Sequence, residues 1–146
     1  MGKIFCVMGK SATGKDTIYT DFLSDDYNSM DIDFTQYENR GGIKVMEHQK
    51  QAVKFLINRK KCILADEMGG GKTMSAILGA IVGGFTHILV VSPASVKKTW
   101  ENELRRFVDE EDIVIVQGSK WRDAKFTIIN YDILDNFYTI PTQKIK

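Results

Sequence analysis

Short apolar runs alternate with longer amphipathic stretches along most of the chain. The short runs are typical of buried strands, because they are rich in apolar and β-branched residues and too brief for buried helices. They predict strands at 4–8, 62–65, 88–91, 113–116 and 126–129. Apolar residues at helical spacing predict helices over 46–58, 74–82 and 96–108. Alternating strands and helices indicate a three-layer α/β fold with a mostly parallel sheet, and the pattern leaves open whether the first strand joins it.

Composition narrows the class of protein only a little. A chain of 146 residues with 43% hydrophobic content can bury one core. Its 20 basic and 19 acidic residues nearly cancel, so any surface for nucleic acid has to be local. Cys6 and Cys62 lie inside apolar runs, which indicates buried thiols and neither a disulfide framework nor a zinc site. Because no run suits a signal peptide or a membrane span, the sequence predicts an intracellular, cytoplasmic protein without a membrane partner.

A glycine-rich loop, MGGGKT, follows the second predicted strand. Gly69, Gly70 and Gly71 allow backbone N–H groups to turn toward an anion, and Lys72 adds a positive charge for the outer phosphates of a nucleotide. The Thr73 hydroxyl can ligate Mg²⁺, and the positive end of the next helix faces the same place. The loop therefore predicts a site for ATP and Mg²⁺ in which Lys72 and Thr73 also act as catalytic residues. A strand-to-helix turn that binds nothing is the alternative.

A second candidate phosphate loop, GKSATGKDT, follows the first predicted strand. Gly9, Gly14 and Lys15 meet the general spacing of such loops. The next position is acidic where Ser or Thr is expected, so Thr17 would have to supply the hydroxyl for magnesium. The stretch resembles the start of nucleoside monophosphate kinases, guanylate kinase in particular, over 1–23 only. The remaining parts of such a kinase are not recognisable in the chain.

The next segment is acidic and poor in aliphatic residues. Between 21 and 40 it carries six Asp or Glu residues against one Arg, which is typical of a linker, a weakly ordered segment or a solvated face. We therefore predict three parts. They are a strand-loop-helix segment without a domain of its own (1–23), an acidic linker (24–42) and a nucleotide-binding lobe (43–146).

The helix predicted over 96–108 has an apolar stripe and a basic side. Docking of an amphipathic helix on the sheet accounts for Trp100 and Phe107. Open α/β sheets bind ligands at the carboxyl ends of their strands. Ser92 and Lys97 are therefore candidates for contact with a nucleic-acid phosphate.

Five blocks in order resemble the first RecA-like lobe of Swi/Snf-type helicase-like ATPases of superfamily two, and the resemblance covers 42–137. The blocks are HQKQAVKFL, ILADEMGGGKT, ILVVSPASVKKTWENELRRF, IVIVQGS and FTIINYDIL. The resemblance implies an incomplete P-loop NTPase fold that uses ATP and Mg²⁺. It also implies double-stranded DNA as a weakly bound partner.

The resemblance also implies roles for single residues. Gln49 would contact the adenine edge, which suits an amide that both donates and accepts hydrogen bonds. Gly69, Gly71 and Lys72 would hold the phosphates and Thr73 the magnesium ion, while Gly70 stands where the family commonly has Leu. The residues implied in DNA contact are Ser92, Pro93 and Ala94 in one motif and Asn130 and Tyr131 in the next.

Two parts of the family's machinery are not found in the sequence. Hydrolysis requires an acidic DExH box, and none follows Tyr131, while a second RecA-like lobe supplies an arginine finger. We therefore expect ATP binding with little or no turnover by this chain alone, and a second lobe as a partner. A small phosphotransferase that uses Lys15 and Thr17, or a non-catalytic interaction module, are the alternatives.

Overall fold

A computed structural model describes residues 31–59 and 71–137, together with the backbone of 4–8. The chain divides into two compact units, one formed by 1–10 with 85–146 and the other by 11–84. The predicted strand at 62–65 lies outside the described residues. In the described part of the chain, no helix is long and apolar enough to cross a membrane.

Three helices form the described part of the unit at 11–84. They are α1 (Thr35–Gly41), α2 (Glu47–Asn58) and α3 (Lys72–Val82). The spacing of apolar residues correctly predicted α2 and α3, whose buried stripes include Val53 and Leu56 on α2 and Leu78 on α3. These two helices pack closely on each other.

Gly79 on α3 packs tightly against Leu56 on α2. A methyl group added there would lie 3.1 Å from Leu56 Cδ1 and 3.2 Å from Leu56 Cβ. We expect Gly79→Val to lower the free energy of unfolding by about 1 to 3 kcal/mol through overpacking. Gly79→Ala is the matched control, because its gain in helix propensity of about 1 kcal/mol offsets the milder crowding. Urea unfolding followed by circular dichroism measures both, and equal stability of Gly79→Val and the wild type would rule out this tight packing.

Within the acidic segment the structure has a helix that the sequence did not predict, α1 at 35–41, and none of its residues is buried. Phe34 before this helix is buried, and the ammonium of Lys50 on α2 lies 5.9 Å from the centre of its ring. The carboxylate of Asp33 accepts a hydrogen bond from the Thr35 N–H, which lowers the pKa of Asp33. Glu38 accepts another from the Val45 N–H at 2.8 Å. The acidic composition of this segment thus gave no sign of the helix, whose Glu38 side chain bonds the chain just before α2. The predicted domain boundary at 43 stays a prediction.

The other unit contains a parallel sheet of four strands. They are β1 (Ile4–Met8), β2 (His87–Ser92), β3 (Ile113–Ile115) and β4 (Phe126–Asn130), in the spatial order β1, β2, β4, β3. The mostly parallel α/β fold is therefore confirmed. The first strand does join the sheet, because β1 pairs with β2 from Ile4 opposite His87 to Met8 opposite Val91.

Helices and loops pack against this sheet. Helix α4 (Lys97–Leu104) lies against β3 and β4 and buries Trp100 and Leu104, as its apolar stripe predicted. It is shorter than the predicted 96–108, because the chain turns where the Phe107 N–H donates to the Leu104 carbonyl. A further apolar cluster contains Val91, Val114, Val116, Ile129 and Phe137. The short helix α5 (Tyr131–Leu134) follows β4 directly and contributes partly buried side chains to that cluster.

Candidate functional site

The described part of the candidate nucleotide site lies at the start of α3. Gly71 is the N-cap residue and has a left-handed backbone, with φ 75° and ψ 36°. Lys72 and Thr73 form the first turn and are half-buried. Because glycine has no side chain, Gly71 makes no side-chain hydrogen bond to the N–H groups of the first turn. An eleven-residue helix that begins this way favours an anion at its N-terminus.

Gln49 in the first turn of α2 lies directly against this glycine. A Cβ atom at Gly71 would overlap the Gln49 Nε2 atom. The Gln49 Oε1 atom accepts a hydrogen bond from the Met46 N–H at 2.9 Å, and the side chain is buried. The structure therefore brings the predicted adenine-binding residue to the predicted phosphate loop. Sequence reasoning placed Gln49 on the nucleotide but did not predict its contact with Gly71.

The remaining nucleotide-site candidates lie outside the described residues. They are Gly69 and Gly70 of the main loop, and Gly9, Gly14, Lys15 and Thr17 of the first loop. Their roles stay predictions.

Magnesium has one predicted protein ligand among the described residues, Thr73. Within 31–59 and 71–137 no group of three or more His, Cys, Asp or Glu side chains is placed to hold a metal ion. A Thr hydroxyl at the start of a phosphate-binding helix fits Mg²⁺ that keeps phosphate oxygens and water as its other ligands. These residues therefore suit a magnesium ion that arrives with a nucleotide.

Two of the residues implied in DNA contact lie side by side at the carboxyl edge of the sheet. Ser92 ends β2, Asn130 ends β4, and the two are register partners. Both are buried, with exposed fractions of 0% and 6%. The Ser92 hydroxyl donates to the carbonyl of Pro93 at 3.2 Å. These two side chains are thus enclosed by the protein and not directed at solvent.

Lys97 at the start of α4 joins the ends of β3 and β4. Its Nζ atom donates to Asn130 Oδ1 at 2.9 Å and to the Val116 carbonyl at 3.2 Å. The Asn130 Nδ2 atom in turn donates to Asp132 Oδ2 at 3.3 Å. We call these four residues the edge network. Sequence reasoning did not predict the parts played by Val116 and Asp132, and no local pattern marks them.

The other residues implied in DNA contact are more open. Ala94 is exposed, Pro93 is half-buried, and Tyr131 has an exposed fraction of 38%. Among the described residues only Met46 and Tyr131 are large hydrophobic side chains that are exposed. Tyr131 is therefore the principal open contact group at this edge of the sheet.

Acidic neighbours largely neutralise Lys98 on α4 and Arg105 directly after this helix. Lys98 pairs with Glu101, and Arg105 reaches Glu101 at 2.9 Å and Glu110 at 2.6 Å. The hydrogen bond from Lys98 is the main cause of the lowered pKa of Glu101, and Arg105 adds to it. Paired surface cations of this kind attract a polyanion less than unpaired ones, so this side favours the interpretation of an amphipathic helix that docks on the sheet.

A parallel α/β sheet and a glycine-capped phosphate helix define the class as an incomplete RecA-like domain of the P-loop type. The family model described as the SNF2-related domain matches residues 48–140. The chain therefore belongs to the SNF2-related family, and it corresponds to the first lobe of a Swi/Snf-type helicase-like ATPase.

Similar curated proteins are far longer than this chain. It is 33% identical over 111 residues to the Xenopus tropicalis protein named "SWI/SNF-related matrix-associated actin-dependent regulator of chromatin subfamily A-like protein 1", which covers 71% of this chain and 12% of that protein. It is 38% identical over 96 residues to human chromodomain-helicase-DNA-binding protein 7, which covers 58% of this chain and 3% of that protein. It is 30% identical over 106 residues to the human DNA annealing helicase and endonuclease ZRANB3, which covers 62% of this chain and 9% of that protein. No solved structure gives a significant match.

Proposed function

We propose that this chain is an ATP-binding lobe of a DNA-dependent helicase-like ATPase, which binds ATP with Mg²⁺ but turns over little or no ATP alone. The observation that carries the proposal is the glycine-capped start of α3, with Gln49 against Gly71. Membership of the SNF2-related family supports it independently.

Each described residue of the site has a chemical part in this proposal. The first-turn N–H groups of α3 and the Lys72 ammonium would hold the nucleotide phosphates. The Thr73 hydroxyl would ligate the magnesium ion, which neutralises phosphate charge when it is bound. Gln49 would read the adenine edge, because a side-chain amide both donates and accepts hydrogen bonds.

Low turnover follows from the chemistry that these residues supply. Hydrolysis requires a group that orients the attacking water. It also requires a positive charge, supplied by a second lobe, that stabilises the transition state. Lys72 and Thr73, to which we assign phosphate and magnesium, supply neither of these groups. We therefore propose that a second RecA-like lobe is needed for hydrolysis and translocation.

The proposed partner is double-stranded DNA, contacted at the carboxyl edge of the sheet. The printed names of the relatives include DNA binding and DNA annealing. Tyr131 and Ala94 are exposed at this edge, while most cations of α4 are paired within the protein. This combination supports weak binding by the lobe alone.

Binding of a fluorescent ATP analogue with Mg²⁺ tests the proposal. Lys72→Ala is expected to raise the dissociation constant by at least about tenfold, since it removes charge-assisted hydrogen bonds to phosphate. Lys15→Ala is the matched control, because it removes the lysine of the other glycine-rich loop. We expect it to leave the dissociation constant unchanged, with circular dichroism confirming that both variants are folded.

The other outcomes contradict the proposal in distinct ways. Loss of binding only in Lys15→Ala would favour a phosphotransferase that uses Lys15 and Thr17. Equal binding by both variants and the wild type would show that neither lysine holds the nucleotide, as expected for a non-catalytic interaction module.

A further inference from the structure

We propose that Lys97 is a positioning residue that holds the turn carrying Tyr131 for DNA contact, and that it does not itself bind a DNA phosphate. The inference rests on the proposed binding of DNA at the carboxyl edge of the sheet. It assigns to Lys97 a role different from the phosphate contact that its place in the sequence suggests.

The first argument is the pair of acceptors to which the Lys97 ammonium donates its hydrogen bonds. It donates to Asn130 Oδ1 and to the Val116 carbonyl, acceptors that are 33 and 19 positions away in the chain. Asn130 and Val116 are both buried, with exposed fractions of 6% and 0%. A move of the ammonium to a phosphate would remove the charged donor from both acceptors, and a buried polar group without its partner is costly. The geometry therefore favours an ammonium that stays in place.

The second argument is what the edge network holds. Asn130 accepts a hydrogen bond from Lys97 and donates one to the carboxylate of Asp132. Tyr131 lies between these two residues, and its side chain is exposed. Asn130 is also the N-cap residue of α5. The network thus links the side chains on both sides of an exposed aromatic residue. Aromatic side chains are suited to contact with nucleic acid.

Neighbouring Lys98 provides a matched comparison. It lies on the same helix, its side chain is 67% exposed, and its partner is Glu101 of the same helix. It lies outside the edge network. Lys97→Met and Lys98→Met therefore remove the same charge from adjacent positions, but only Lys97→Met breaks the link to Asn130.

The test measures binding of the full chain to a fluorescein-labelled DNA duplex by anisotropy over a series of KCl concentrations. The positioning role predicts that Lys97→Met weakens binding about as much as Tyr131→Ala, in the range of about twofold to tenfold, and that the double variant loses no more than either single variant. It also predicts an unchanged slope of log affinity against log salt. Lys98→Met is expected to leave the affinity within about twofold of the wild type.

A second readout needs no DNA. The side-chain amide signal of Asn130 in a ¹⁵N NMR spectrum is expected to shift in Lys97→Met and to stay in place in Lys98→Met. An unchanged Asn130 signal in Lys97→Met overturns the edge network as a solution structure. A salt slope that falls by about one in Lys97→Met identifies Lys97 as a phosphate contact and overturns the positioning role.

Failure of the proposed function is distinguishable from failure of this inference. If the wild type binds no duplex DNA, the proposed DNA partner is wrong and the positioning role is overturned with it, although the Asn130 signal still shows whether Lys97 holds the turn. If the wild type binds DNA and the losses in Lys97→Met and Tyr131→Ala simply multiply in the double variant, DNA binding stands and the positioning role alone is rejected.

Discussion

Gly71→Ala is expected to abolish ATP binding and to lower the free energy of unfolding by about 2 to 5 kcal/mol, as the sum of a left-handed backbone cost and an overpacking cost. Gly71 has φ 75°, a conformation that a residue with a side chain rarely adopts. The new methyl group would also overlap the amide of Gln49. Either the start of α3 or the side chain of Gln49 has to move, and both belong to the proposed nucleotide site.

Two comparisons separate the backbone cost from the overlap. Gly84 has φ 72° and nothing within 4 Å of an added Cβ, so Gly84→Ala should show the backbone cost alone, about 1 to 2 kcal/mol. Introducing Gly71→Ala into a Gln49→Ala background removes the overlapping amide, so the additional loss there should fall to the Gly84→Ala value. Urea unfolding and titration with an ATP analogue measure the wild type, the three single variants and the double variant. A Gly71→Ala variant as stable as Gly84→Ala would show that Gln49 does not pack on this loop.

The elements that the sequence predicted best are those whose signal is local. Helices α2 and α3 follow from apolar positions at helical spacing, and β2 and β4 follow from continuous apolar runs. Helix α3 starts at Lys72, two residues before the predicted start at 74, and Gly71 before it has the left-handed backbone that glycine readily accepts. Such features depend on neighbouring residues alone.

Features that depend on distant partners could not be predicted in the same way. Helix α1 has no apolar stripe, and it is fixed by the Glu38 contact with the Val45 N–H and by burial of Phe34. The pairing of β1 with β2 joins segments about eighty positions apart along the chain. No periodic pattern encodes which edge a separate strand will join.

In the candidate site, too, the sequence indicated single residues but not their contacts with distant partners. The motif named the residues near the phosphates, but it did not show that Gln49 and Gly71 touch. At the carboxyl edge, position after a strand marked Lys97 as a contact for nucleic acid, and the family resemblance separately marked Asn130. Their mutual hydrogen bond, across 33 positions, shows that one candidate holds the other. Long polar side chains have several possible partners, and only the fold selects among them.

Phe137→Ala is expected to lower the free energy of unfolding by about 3 to 5 kcal/mol, the range for truncating a buried aromatic residue. Phe137 is 1% exposed and packs in the cluster with Val91, Val114, Val116 and Ile129. Its ring centroid lies 5.3 Å from that of Trp121 at an interplanar angle of 55°. A small domain is stabilised by only about 5 to 15 kcal/mol, so much of this variant should be unfolded at modest urea concentrations.

Tyr131→Ala is the control for this stability measurement, because it removes an exposed aromatic ring from the same segment after β4. Tyr131→Ala should change the free energy of unfolding by no more than about 0.5 kcal/mol, as for most surface positions. Trp121 gives a second readout, since loss of the Phe137 ring should open its surroundings to water and shift its fluorescence to the red. A loss of less than about 1 kcal/mol in Phe137→Ala would show that the cluster does not depend on this ring. The expected larger loss would show that apolar packing holds the Phe137 end of this segment, whose other end at Asn130 belongs to the edge network. A fixed position for Tyr131 requires both ends to be held.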